Sequence, residues 1–194
     1  MGDILPYIIS ACIGIGLAAA SGFRVFLPFF FVSLASYLGW IPVSDNFEWL
    51  SGLPALITTG VATVIEILAY YIPFVDNILD TIAVPLATIA GSVLFASQFI
   101  ELGTFSQWAL ALIAGGGTAA TIASGFAGTR AASSATTAGI GNNVVATTET
   151  AGAGVMSALS LFLPVIAFLL AIVLLIAVII FGRKIWRKMT AKRV

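Results

Sequence analysis

Charge is scarce in this chain: 8% of its 194 residues are Asp, Glu, Lys or Arg. Soluble domains carry about 25%, so there is too little charge to cover a water-facing surface. Histidine is absent and Cys12 is the single cysteine. One thiol forms no internal disulfide, and the usual zinc-ligand sets cannot be assembled. Cys12 lies in an apolar run and reads as a small packing residue. There is no Ser–His set, no paired aspartates within a helix and no metal cluster, so neither an enzyme nor a bound cofactor is expected.

Hydrophobic residues make up 60% of the chain, and its mean hydropathy is +1.14. These values describe an all-α integral membrane protein whose first partner is the lipid bilayer. Basic residues are concentrated in the tail, at Arg183, Lys184, Arg187, Lys188, Lys192 and Arg193. Bases flanking a membrane helix stay in the cytoplasm, which puts the C-terminus there. The tail reads as a topology anchor with an attraction to anionic lipid, and not as a nucleic-acid site. Ala18-Ala19-Ala20-Ser21 has the small residues of a signal cleavage site. Asp3, the lack of an early Lys or Arg and the apolar run beyond Arg24 argue against one. Pro6 argues against myristoylation of Gly2.

A bilayer core takes about 20 apolar residues per helix. Segment 4–40 exceeds one span and breaks at Ser21-Gly22-Phe23-Arg24 into 4–20 and 25–40, each short enough to be re-entrant. A polar loop at 41–50 follows, then a span at 51–72, a connector with Pro73, Asp76 and Asp80, and a span at 81–100. Residues 105–125 form another span. Segment 126–149 is rich in Gly, Ala, Ser and Thr, with Asn142, Asn143 and Glu149. It either lies outside the membrane or re-enters among helices, because its hydroxyls and amides do not suit a lipid face. Residues 150–182 make a helix of about 50 Å, too long for a core of about 30 Å, with Pro164 as the expected bend. Trp40, Trp49, Tyr70, Tyr71, Trp108 and Trp186 mark segment ends, the pattern of an interfacial belt. The expected architecture is a polytopic bundle of about six transmembrane or re-entrant segments. It forms a single membrane domain over 1–182, followed by a basic cytoplasmic tail at 183–194.

Gly14-Ile15-Gly16-Leu17-Ala18-Ala19 leads to Ala-Ser-Gly-Phe and Arg24; Gly115-Gly116-Gly117-Thr118-Ala119-Ala120 leads to the same tetrapeptide and Arg130. Chance in a Gly- and Ala-rich chain and a two-fold repeat with halves near 1–100 and 101–182 compete as explanations. A repeat is common in transporters, where broken helices meet near the midplane. Each stretch fits a dinucleotide fingerprint, but no strand precedes it, and close helix packing accounts better for the glycines. Arg24, Glu66, Arg130 and Glu149 are the charges that hydrocarbon would penalise, by about 2.5–3.5 kcal/mol each. They are candidates for ion pairs or for a substrate or proton site, with Arg24 and Arg130 also able to snorkel. Tyr70, one turn after Glu66, could donate to it. Asp76 and Asp80 are expected at a helix start, and Asp45, Glu48 and Glu101 in solvent. Gly139-Ile140-Gly141-Asn142-Asn143 could form an anion-binding nest or a turn, which makes Asn142 a further candidate.

These residues carry a family resemblance. Gly22-Phe23-Arg24-Val25-Phe26-Leu27-Pro28 follows a small-residue helix. Glu66 precedes Ile72-Pro73-Phe74-Val75-Asp76 and Asp80. Thr137-Ala138-Gly139-Ile140-Gly141-Asn142 and Thr148-Glu149 precede a long final helix. In this order, over about residues 13–180, the chain resembles a bacterial membrane family catalogued as domain of unknown function 4126. The resemblance implies a multi-pass protein of the bacterial plasma (inner) membrane and brings no settled activity. Tyr70-Tyr71 stands where members often have an acidic–basic pair, Val84 where an arginine is common, and Asn143 where a proline is usual. Two functional expectations result. One is a small transporter-like or channel-like protein for a small solute, ion or lipid, able to form oligomers. The other is a non-catalytic membrane scaffold or accessory protein.

Overall fold

The computed structural model describes residues 4–99, 102–137 and 139–190, with side chains except at 73, 77 and 185–190. Among them the elements are α1 (Ile4–Ser21), α2 (Phe26–Tyr37), a 3-10 segment (Asp45–Ser51), α3 (Leu53–Ala69) and α4 (Pro73–Ser97). Then come α5 (Thr104–Leu110), a π-helical stretch (Ala111–Gly116), α6 (Gly117–Thr137), α7 (Asn142–Phe162) and α8 (Pro164–Thr190). No strand occurs among the described residues.

Four helical stretches are long and apolar enough to cross a membrane: Ile4–Ser21, Phe74–Ala96, Thr104–Thr137 and Pro164–Lys184. A fifth is counted if the 3-10 segment and α3, bent by 68°, form one span. The expected number was about six. The difference lies in α2, which has only 12 residues, and in α7, whose Thr and Gly content lowers its hydropathy.

Small residues decide how the bundle closes. From Cys12 to Ser21, α1 is buried at most positions and packs against α4, α6, α7 and α8. Gly14 lies against Phe95, and Gly91 faces Ala18 and Gly115, so α1 and α4 run antiparallel at close range. A methyl group at Gly22 would sit 2.6 Å from Ile122 Cβ and 2.9 Å from the Ala119 carbonyl oxygen. This antiparallel order sorts the bundle into two ends. One end collects Trp40, Trp49 and Trp108, all exposed, as a belt requires. There Phe47 and Leu50 of the 3-10 segment plug into a core with Leu17, Leu94, Phe95 and Phe99. Gln107 holds that segment by donating to Ser44 Oγ at 3.2 Å, Ala96 O at 2.8 Å and Phe99 O at 3.0 Å. The other end collects the break at 22–25, the turn at 70–72, the turn before Asn142 and the C-terminal part of α8.

Several expectations are corrected. The stretch with Pro73, Asp76 and Asp80 is no connector: α4 begins at Pro73, with proline in the first turn, where its missing N–H costs nothing. The 41–50 loop contains a packed 3-10 segment, although Asp45 and Glu48 are exposed as expected. Glu101 lies outside the described residues. Segment 126–149 is helical on both sides of a turn. Residues 126–137 continue α6 and 142–149 open α7. Its hydroxyls are satisfied one turn back: Thr129 donates to Gly125 O at 3.0 Å, Thr136 to Ala132 O at 2.9 Å and Thr148 to Val144 O at 2.8 Å. That internal bonding lets Ser and Thr sit on an exposed helix face without open polar groups. The long final stretch is interrupted at Leu163, before Pro164, where a proline is expected to break it.

Candidate functional site

Buried charge gathers at the end opposite the tryptophans. Arg24 follows the break after α1 and is 1% exposed; Arg130 lies two turns before the end of α6 and is 2% exposed. Neither snorkels. Arg130 Nε donates to Glu149 Oε1 at 2.9 Å, and its Nη2 donates to Glu149 Oε2. Its Nη1 donates to Asp76 Oδ1 and lies 3.5 Å from Asp80 Oδ1. Arg24 reaches the same carboxylate from the other chain half. Its Nη2 donates to Ala146 O at 2.8 Å and lies 3.5 Å from Glu149 Oε2, and its Nε donates to Thr150 Oγ1 at 3.1 Å. Arg24 Nη1 has no hydrogen-bond partner.

Tyr70 supplies the ring that both cations face. The Arg24 guanidinium lies 3.8 Å and that of Arg130 4.3 Å from its centroid, within cation–π range. This ring contact takes the place of the expected hydroxyl bond to Glu66. Tyr71, the next residue, bonds Thr147 Oγ1 at 2.8 Å and ties the α3–α4 turn to α7.

Glu66 is held by two backbone amides. Val25 N–H donates to its Oε1 at 2.8 Å and Phe26 N–H to its Oε2 at 3.0 Å. Those amides open α2, a helix with no cap from its own chain neighbourhood. A buried carboxylate from α3 therefore caps α2 from outside, where orphan N–H groups and the helix dipole favour negative charge.

Asn142 turns inward. Its Nδ2 donates to Asp76 Oδ2 at 3.1 Å and Ser134 Oγ at 3.0 Å. Of the two readings of the run around it, a nest or a turn, the structure has the turn, with its amides occupied. Ile140 N–H donates to Thr137 O at 3.2 Å, Gly141 N–H to Thr137 Oγ1 at 3.0 Å and Asn142 N–H to Gly139 O at 3.0 Å. Gly139, at φ +88°, provides the left-handed step that closes this turn.

The structure thus brings Arg24, Tyr70, Arg130, Asn142 and Glu149 into one cluster, with Glu66 beside it. Sequence reasoning missed Asp76 and Asp80 as members. A signal was present: four residues apart on a helix, the two acids share one face. Thr150 was missed as well, and only its contact with Arg24 reveals it.

A cavity of about 20 Å³, room for roughly one water molecule, is lined by Glu66, Tyr70, Asp80, Arg130 and Glu149. An apolar groove of about 240 Å³ adjoins it, lined by Phe26, Ile65, Leu79 and Leu86 among others. Val25, Glu66, Tyr70 and Ala83 border both spaces. Among the described residues no group of three or more His, Cys, Asp or Glu could hold a metal ion.

No curated protein and no solved structure matches this chain. A family model described as Domain of unknown function (DUF4126) matches residues 11–184, so the chain belongs to that family.

Proposed function

We propose that this membrane protein is a small transporter-like, non-enzymatic protein. It receives a small ionic or polar group, free or carried on a lipid, at the buried charge cluster. The observation that carries this reading is the polar cavity set against a broken helix. Glu66 lines the cavity and at the same time holds the N-terminus of α2. A group that competes for Glu66 acts on the position of α2, which is how binding couples to movement. The echo around Arg24 and Arg130 fits this reading, since both arginines converge on Glu149 although they lie in different halves of the chain. By the positive-inside rule the cluster faces the cytoplasm, because α8 brings the basic tail to the same end.

A second reading, a scaffold or accessory protein, draws on the pairing of Arg130 with Glu149, Asp76 and Asp80. Such a clamp fixes helix register without any traffic. Access to water separates the two. In a Cys12→Ser background, Ala127→Cys at the cavity wall should react with a small cationic thiol reagent in proteoliposomes. Ile140→Cys, on an exposed turn, serves as the control. If the control reacts and Ala127→Cys does not, the transporter-like reading falls in favour of the scaffold.

A further inference from the structure

The groove beside the cavity identifies the class of ligand. It opens where α3 and α4 diverge from their shared turn: α3 packs on α2 and the 3-10 segment, while α4 packs on α1 and α6. Its walls are apolar, from Phe26, Ala62, Ile65, Ala69, Leu79 and Leu86. The outer face of α3, with Val61, Val64, Ile65 and Leu68, is exposed, so the groove is entered from the lipid side. Its inner end is Glu66 and Tyr70, the border of the polar cavity.

Charge at that inner end is unbalanced. Among the described residues, the four carboxylates of Glu66, Asp76, Asp80 and Glu149 have two bases beside them, Arg24 and Arg130, an excess of two carboxylates. The N-termini of α2, at Glu66, and of α4, with Asp76 in its first turn, offset part of this excess, while the C-terminal ends of α1 and α3, at Ser21 and Tyr70 on the cavity wall, add to it. A net negative charge is left. It falls at Asp80, whose nearest cation is 3.5 Å away and whose side chain is 24% exposed, the most open of the ion-paired groups.

We infer that the groove and cavity together bind a membrane amphiphile with one alkyl chain and an ammonium head. The chain lies in the groove between α3 and α4, and the head is paired with Asp80 at the cavity. The groove is apolar, and an ammonium head offsets part of the acidic excess at its most open carboxylate, Asp80. This inference rests on the cluster being a binding site, as proposed above.

The test uses the whole protein in non-ionic detergent and three photoreactive probes sharing one diazirine-bearing dodecyl chain: the amine, the alcohol and the carboxylate. The amine should label α3 and α4 around Ile65, Leu79 and Ala83 at least about tenfold more than the other two, a gap of about 1.4 kcal/mol. Asp80→Asn should remove that preference, bringing labelling by the amine down to the level of the alcohol. Ala83→Phe, which fills the groove, should abolish labelling by all three. Equal labelling by the three heads, preference for the carboxylate, or an amine preference that survives Asp80→Asn overturns the inference. If Asp80→Asn does not fold, excess unlabelled dodecylamine should displace the amine probe, whereas dodecanol should not. Displacement by both equally overturns it too. When Ala127→Cys reacts with the thiol reagent but the heads label equally, this inference fails and the transporter-like reading stands. An unreactive Ala127→Cys removes that reading itself.

Discussion

Two carboxylates approach the Arg130 guanidinium, and a third lies 3.5 Å off. In a buried site the desolvation of such a cation is offset only while its partners stay in place. Arg130→Met leaves Glu149 and Asp76 facing each other's charge, and destabilisation by about 3–5 kcal/mol is expected. Thermal unfolding of the purified variant in detergent measures it, and a loss under about 1 kcal/mol, the worth of an exposed pair, contradicts the arrangement. Glu66→Gln should be milder. Glutamine keeps one acceptor oxygen, so one of the two charge-assisted bonds to α2 survives in weakened form and the cost is about 1–3 kcal/mol. The distinguishing readout is local: amide exchange at Val25 and Phe26 should accelerate more than at the core of α1. Uniform exchange along α1 and α2 would show that Glu66 is not the cap.

Helices meet here through glycine and alanine where soluble bundles use large interlocking side chains. Gly22 is a tight case near the site, because a methyl group there meets both the Ile122 side chain and the Ala119 carbonyl oxygen. Backbone cannot retreat as a flexible side chain can, so Gly22→Ala should destabilise by about 1–3 kcal/mol. Adding Ile122→Gly should recover part of that loss in a double-mutant cycle, since it removes the Cβ and Cγ2 that form one of the two obstacles. Purely additive effects would place the two residues out of contact. Sequence periodicity located these elements well where a break residue was present, at 21–24 and at Pro164. It placed Asp76 and Asp80 at a helix start after Pro73, as found, although the span was expected to begin only near 81, and it failed for 126–149. Local polarity suggested loops there, and hydrogen bonds from each hydroxyl to the preceding turn removed the need for one.

Among the described residues, the charge cluster and the C-terminal part of α8, with Arg183 and Lys184, share one end, and the exposed Trp40, Trp49 and Trp108 share the other. A reporter active only outside the cytoplasm, fused after Val194, should therefore stay silent. In a Cys12→Ser background, Ile140→Cys should react with an impermeant thiol reagent only after the cells are opened, whereas Trp49→Cys should react in intact cells. The reverse pattern would invert the protein and place the cluster on the outer side.

Membrane character, the absence of disulfide chemistry and the helix breaks follow from composition and local pattern alone, because they depend on neighbours along the chain and on the solvent. Family membership was legible too, from the order of short motifs. The pairing of the charges was not. Arg130 and Glu149 lie nearly equidistant from the turn at Gly139, so an antiparallel hairpin sets them level. That symmetry becomes visible only once 126–149 is known to be helix. Arg24 joins them across 125 positions of sequence only because α1 packs beside α7. Which acid neutralises which base, and that Glu66 caps a helix end, was decided by tertiary packing. Coulomb and hydrogen-bond energies act over a few ångströms of space, and separation along the chain does not set those distances.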